Sequence, residues 1–175
     1  PELGLAEKAD KDRVPYQEWR DKGFLEVTPG RAVDKAVVLM RLAQICELFD
    51  CEYINFDRWR IADLIAIQER EGISLPPLVP HGQGFKDMAP AVDQTETLLV
   101  NAKIRHPDHP ILNWCMANAV ISKDPAGNRK LDKAKATGRI DGAITVVMGV
   151  GGEAAAELPA DTGPSVYESR GIRSI

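Results

Sequence analysis

Apolar residues recur along the chain with two periods, which predict helices alternating with short strands. In Val33–Phe49 and again in 59–71 they come at steps of three and four, so both segments are predicted to be amphipathic helices. Between them, Cys51–Phe56 is a β-prone run, and 75–79 is a short extended segment that proline interrupts. Strand, helix and strand in this order predict a parallel crossover in an α/β sheet.

The pattern remains mixed further along the chain. Residues 91–100 and 111–120 are predicted helices, and the second leads into a short extended piece at 119–122. Residues 124–128, DPAGN, are a strong turn signal. Residues 139–150 are apolar at almost every position and predict a buried helix.

The two ends of the chain differ from this pattern. Residues 1–22 mix charges with scattered apolar side chains and predict a short helix with an amphipathic connector. Phe24–Val27, followed by Thr-Pro-Gly, predicts a short strand that ends in a turn. Residues 151–175 carry too little apolar surface to repay the entropy of ordering. We therefore expect one domain at 1–150 and a flexible tail at 151–175.

Composition narrows the classes of protein. A chain of 175 residues with 44% apolar content can bury the core of one ordinary domain. The net charge of −4 should repel a polyanion, so any nucleic-acid contact needs a local basic patch. No apolar run approaches the roughly 20 residues of a membrane helix, and we expect an intracellular protein without a membrane part. The three cysteines lack CxxC spacing and are expected to be buried free thiols.

Two aspartates are candidates for chemistry. Asp57 follows the predicted strand 51–56, and sites of open α/β sheets lie at the carboxyl ends of strands; the alternative is a helix cap. Asp141 begins a segment predicted to be buried, where a carboxylate needs a metal or a partner such as Arg139 or Lys135. If the two carboxylates converge, they suit a hard divalent cation that polarises phosphate and activates water.

A basic run stands out in this acidic chain, and it lies directly before Asp141. Its members Lys133, Lys135 and Arg139 are candidate contacts for a phosphodiester backbone, with a solvated loop as the alternative. The histidines of HPDH at 106–109 are interrupted by proline, so they cannot share one helical face as metal ligands.

Four motifs occur in an order and spacing that resemble a known family. They are YINFDRW at 53–59, HGQGF at 81–85, HPDHPILNWCMANAV at 106–120 and DKAKATGRIDG at 132–142. Together with the stretch 13–34, they resemble the nuclease domain of tailed-phage terminase large subunits.

The resemblance implies a fold, an activity and a set of partners. It implies an α/β, ribonuclease H-like mixed sheet flanked by helices, in a DNA endonuclease whose acids bind two divalent ions, Mg²⁺ or Mn²⁺. By motif position, Asp57 and Asp141 match two of those acids. The implied partners are double-stranded DNA, the portal, the small terminase subunit and an ATPase domain, in the cytoplasm of a bacterial host cell.

The chain also departs from the family pattern. The family's first catalytic aspartate lies on an opening strand that nothing in residues 1–22 resembles, so we expect an N-terminally truncated domain. Either a fragment of a larger product or a truncated prophage remnant fits this departure. Glu26 and Asp34 are local candidates for a replacement ligand, with a solvated charge or a helix cap as the alternative. Missing strands would leave a sheet edge through which the chain could self-associate.

Overall fold

The computed structural model describes residues 1–59 and 61–157, and these form seven helices and four short strands. In chain order the elements are α1 (Leu5–Asp12), α2 (Tyr16–Asp21), α3 (Lys35–Phe49), β1 (Ile54–Asp57), α4 (Ile61–Glu71), β2 (Leu78–His81), α5 (Phe85–Val100), α6 (Pro110–Ala117), β3 (Ile121–Lys123), β4 (Arg129–Leu131) and α7 (Asp141–Glu157). The predicted α/β class is confirmed.

The predicted parallel crossover is confirmed in β1, α4 and β2. The two strands are parallel, and their register runs from the pair Ile54 and Leu78 to the pair Asp57 and His81. The second strand lies a few residues later than the predicted segment 75–79. Within the described residues this is a two-stranded sheet, separate from the antiparallel pair β3 and β4.

Helices α3 and α4 form where the apolar periodicity predicts them, and local signals set three of their ends. The Asp34 carboxylate accepts the backbone N–H of Ala36 at 2.9 Å and caps the first turn of α3. At the other end, Asp50 adopts the left-handed conformation with φ 51°. Helix α4 is followed by Gly72 at φ 63°, the conformation in which glycine commonly ends a helix.

The core is built by α5, α6 and α7. Its buried members come mainly from α5 and α7, with Cys115 from α6 and Ile140 just before α7. They are Met88, Ala91, Val92, Cys115, Ile140, Ala143, Ile144, Val147 and Met148. The buried helix predicted at 139–150 is therefore confirmed as an element of this core.

Helix α5 begins earlier than the predicted residue 91. It starts at Phe85 and passes through Pro90, whose ring lacks the N–H of a normal helical residue. Met88 and Ala89 are buried just before the proline, and their burial offsets the lost backbone hydrogen bond.

The turn signal at 124–128 joins strands β3 and β4 into an antiparallel hairpin. The Asp124 side chain accepts the backbone N–H of Asn128 at 2.8 Å, and Gly127 adopts a positive φ of 87°. These local contacts set the register of the hairpin, in which Ile121 pairs with Leu131.

The predicted strand at 24–27 is wrong. The backbone N–H groups of Phe24 and Leu25 both donate to the Trp19 carbonyl, which closes the end of α2. These donors are therefore unavailable to a strand partner, and the segment passes on as irregular backbone. The short helix predicted within 1–22 is confirmed, with α2 as a second one.

The predicted boundary at residue 151 falls inside a helix, because α7 continues to Glu157. The rest of the predicted tail lies outside the described residues. In the part of the chain that is described, no helix is long and apolar enough to cross a membrane. All three thiols are free; Cys46 and Cys115 are buried and Cys51 is partly exposed.

Candidate active site

Asp57 and Asp141 line one open groove with a volume of about 970 Å³. Asp57 is the last residue of β1, and Asp141 is the first residue of α7. Other walls of the groove come from α3 and from Gln83, which follows β2. Two acids that are 84 positions apart in sequence therefore face the same space, at the carboxyl end of a parallel strand, where α/β domains build their sites.

The Asp57 carboxylate is partly engaged in its own turn. Its Oδ1 accepts the backbone N–H of Trp59 at 3.1 Å, in the connection that leads to α4 at Ile61. The cap alternative thus describes part of its environment, because one oxygen holds the turn between strand and helix. The side chain remains at the groove wall beside this turn.

Asp141 is more exposed than the sequence predicts. Its side chain is 62% exposed, so water as well as protein solvates the carboxylate. It pairs with Lys133, whose Nζ lies 2.9 Å from Oδ1. The expected partners Arg139 and Lys135 are wrong, since Arg139 lies near Asp12 and Lys135 near Asp132. The predicted burial fails because Asp141 is the first residue of α7, while the helix buries residues beyond it.

The basic residues predicted to form a phosphate-binding rim do not all line the groove. Lys133 lines it, while Arg139 lines an adjoining cleft that shares Lys133 and Asp141 with the groove. Lys135 lines neither space. Its Nζ is 3.9 Å from the Asp132 carboxylate.

A link between the two acid-bearing elements was missed by sequence reasoning. Asn55 lies two positions before Asp57 on β1, and its Nδ2 donates to the Met148 carbonyl of α7 at 3.1 Å. The amide packs so closely against Gly152 that a methyl group at that position would overlap with it. Asn55 Oδ1 is buried without a hydrogen-bond partner among the described residues. The only available signal was the polar residue within the β-prone run.

The acids proposed as replacement ligands lie elsewhere. Asp34 caps α3, and Glu26 pairs with Arg41 at 2.8 Å, so the alternatives of a cap and a solvated charge are confirmed. Among the described residues, no group of three or more His, Cys, Asp or Glu side chains is arranged to hold a metal ion. Glu52 also lines the groove, but it belongs to no such group, so the candidate metal ligands remain Asp57 and Asp141. Their carboxylates are the hard oxygen donors that Mg²⁺ and Mn²⁺ prefer.

The fold and the groove together define an α/β domain with a carboxylate-lined site at the end of a parallel strand. The family model described as "Terminase large subunit, endonuclease domain" matches residues 2–157. The chain belongs to this family.

Individual relatives agree with the family model. The chain is 50% identical to the terminase large subunit of Enterobacteria phage HK97 over 151 residues, which are 86% of this chain and 30% of that protein. It is 28% identical to protein YmfN of Escherichia coli K12 over 163 residues, which cover 91% of this chain and 35% of YmfN. The chain thus spans about a third of the length of these relatives.

A solved structure gives the same result in three dimensions. The crystal structure of the HK97 bacteriophage large terminase superposes with a TM-score of 0.81 at 50% identity. The match covers 87% of this chain and 32% of the HK97 chain. At this identity the likeness supports the family as well as the fold.

Proposed function

We propose that this chain is the DNA-cleaving part of a viral DNA-packaging terminase and that it hydrolyses phosphodiester bonds of concatemeric double-stranded DNA. The observation that carries the proposal is the groove into which β1 and α7 bring Asp57 and Asp141. Membership of the endonuclease-domain family supports the reaction class. The ribonuclease H-like character of the fold is part of the same proposal.

Asp57 and Asp141 would hold the divalent cation, Mg²⁺ or Mn²⁺. When bound, such a cation supplies Lewis-acid polarisation of the phosphate and lowers the pKa of water. The protein's part is to keep two carboxylates on one groove, with Asp57 fixed by its turn and Asp141 fixed at the start of α7. Lys133 would exchange its pairing with Asp141 for a phosphate oxygen when the carboxylate turns to a cation.

The remaining partners belong to the same proposal. The portal, the small terminase subunit and an ATPase domain would act with the longer protein, in the cytoplasm of a bacterial host. The relatives are about three times as long as this chain, which leaves room for such a motor in the whole protein.

Plasmid cleavage tests the proposed reaction. We expect the chain with Mn²⁺ to convert supercoiled plasmid to nicked and linear forms, and Asp57→Asn and Asp141→Asn each to abolish this conversion. Asp63→Asn is the matched control, because Asp63 is an exposed acid that pairs with Lys35 on α3 and does not line the groove. Equal cleavage by all four proteins would refute the assignment of the two acids.

A second candidate function is a catalytically incomplete relic that binds DNA or assembles with itself. The observation that favours it is the pairing of Asp141 with Lys133, in a groove where the described residues form no group of three or more metal-binding side chains. A cation held by two ligands loses affinity and transition-state stabilisation. We therefore expect this chain by itself to cut slowly.

Comparing this chain with a longer product that contains it separates the two candidates. A large gain in cleavage rate for the longer product, abolished by Asp57→Asn, supports a nuclease that is completed by other segments. Absence of cleavage from both proteins, with DNA binding or self-association retained, supports the relic. Rapid cutting by the 175 residues alone would contradict the incomplete-site expectation.

A further inference from the structure

A second space adjoins the groove, and most of its walls take no part in the proposed cation site. This cleft has a volume of about 510 Å³ and lies between α1 and the segment that precedes α7. Its walls carry three cations, Lys11, Lys133 and Arg139, and two carboxylates, Asp12 and Asp141. Asp141 and Lys133 line both spaces, so the cleft continues the groove on the side of α1.

The carboxylate at the cleft wall is already satisfied by its neighbours. Asp12 accepts hydrogen bonds from Lys8 and from the Tyr16 hydroxyl, each at 3.0 Å. The Lys8 hydrogen bond is the main reason why the pKa of Asp12 is lowered. Asp12 therefore remains ionised, and Lys8 balances its charge from outside the cleft. The remaining cations give the cleft a local positive balance in a chain of net charge −4.

The cations themselves are accessible. The Arg139 side chain is 56% exposed, and its Nε stays 4.0 Å from Asp12, beyond hydrogen-bond distance. Lys11 lies exposed in the last turn of α1 and forms no ion pair with any residue that the structure describes. Lys133 is paired with Asp141, the acid that the proposed cation would engage.

The position of the α1 wall is fixed by aromatic packing. Trp114 of α6 lines the cleft, and its ring lies 6.2 Å from Tyr16 and 5.7 Å from Trp19, both on α2. Edge-on and tilted contacts at these distances are favourable for aromatic rings. The α1–α2 segment, whose role the sequence left open, is thereby held against the core with Lys11 beside the cleft.

We propose that this cleft binds the phosphodiester backbone of the DNA as it leaves Asp141, with Lys11, Lys133 and Arg139 as the phosphate contacts. The inference rests on the proposed function. It adds Lys11 of α1 to the DNA-binding surface and removes Lys135, which does not line the cleft.

Salt-dependent binding of the 175-residue chain to a fluorescein-labelled duplex tests this path. We expect Lys11→Ala and Arg139→Ala each to weaken binding about five- to tenfold near 0.1 M salt and to lower the slope of log K against log salt by about 0.9. Lys135→Ala is the matched control, with the same change of charge, and should leave both quantities near those of the wild type. Thermal melts will show whether Arg139→Ala loosens α1. Lys11→Ala tests the cleft independently of such loosening, because Lys11 is exposed and forms no ion pair among the described residues.

The outcomes separate this inference from the proposed function. Equal loss of affinity in Lys11→Ala and Lys135→Ala would overturn the cleft, because binding would then follow net charge alone. Unchanged binding in Lys11→Ala would overturn it as well. Plasmid cleavage by the same variants tests the nuclease proposal separately, because cleavage can persist even if the cleft does not bind DNA. If the wild-type chain does not bind duplex DNA at low salt, the proposed backbone contact in the cleft is overturned. The nuclease proposal is then still tested by comparing plasmid cleavage by the wild type and by Asp57→Asn.

Discussion

Asp57 and Asp141 come from regions of the domain that differ in how far they are packed. Asp141 begins α7, whose next turns are buried against α5 and α6. Asp57 ends a four-residue strand that pairs with β2 and lies between α3 and α4 in the sequence. No residue of this strand or of α4 is fully buried among the described residues. Helix α3 buries Leu39 and Cys46 but exposes Leu48 and Phe49 among other apolar side chains.

This difference shows that apolar periodicity predicts a helix but does not predict what covers it. Helices α3 and α7 are both rich in apolar residues, yet α7 buries Ala143, Ile144, Val147 and Met148 in the core, whereas α3 keeps much of its apolar surface in water. The position of Asp141 therefore depends on a packed core, whereas that of Asp57 depends on the pairing of β1 with β2, its own turn to Trp59 and the hydrogen bond from Asn55 to α7.

The largest effect we expect comes from truncating the packed region. Ile140→Ala removes a side chain that is 2% exposed, and we expect it to lower the free energy of unfolding by about 2–5 kcal/mol. Leu48→Ala on α3 is the contrast, because its side chain is 76% exposed and should change stability by no more than about 0.5 kcal/mol. Urea denaturation followed by circular dichroism measures both, and similar losses would contradict the comparison.

A smaller effect tests the contact between the two regions. Gly152→Ala places a methyl group on the Asn55 amide, and we expect a loss of about 1–3 kcal/mol. Gly149→Ala is the matched control on the same helix, since a methyl there meets open space and should stabilise α7 by up to about 1 kcal/mol.

A double-mutant cycle identifies the source of that loss. In an Asn55→Ala background the overlap disappears, so Gly152→Ala should cost clearly less than in the wild type. Additive losses would place the strain of Gly152→Ala somewhere other than the Asn55 contact.

Local signals predicted most of the fold, and long-range packing accounts for the errors. The helix α3, the crossover and the turn at 124–128 were all predictable, because caps, periodicity and turn residues act within a few positions. The strand at 24–27 failed since the Trp19 carbonyl captures its donors, a contact that depends on how α2 ends. The early start of α5 was hidden by Pro90, which is tolerated because core burial offsets it.

The candidate site followed from the sequence only in part. The placement of Asp57 at a strand end and the motif around Asp141 predicted two acids that line one groove. The partners of Asp141, Arg139 and Lys135 could not be read from sequence spacing, because each pairing depends on how the loop before α7 folds. The contribution of Lys11 depends on aromatic packing between α2 and α6, which no local pattern records.

The smallest effect we expect concerns the loop between β4 and α7 and depends on pH. The pKa of Asp132 is lowered, mainly by the hydrogen bond that its Oδ2 accepts from the Ser122 hydroxyl at 2.5 Å and further by the backbone N–H groups of Ala134 and Lys135. A carboxyl group whose pKa is lower in the folded state stabilises the fold above its unfolded pKa of about 3.9, and this contribution is lost as the pH falls through the lower folded value. Asp132→Asn should therefore destabilise the protein at pH 7, and this loss of stability should become progressively smaller below about pH 4, when measured by urea unfolding at each pH.

The exposed Asp63, which shows no such set of donors among the described residues, provides the control substitution Asp63→Asn. A cost of Asp132→Asn that stays constant from pH 7 to pH 3 would show that the asparagine disturbs the loop by its shape and not by the loss of charge.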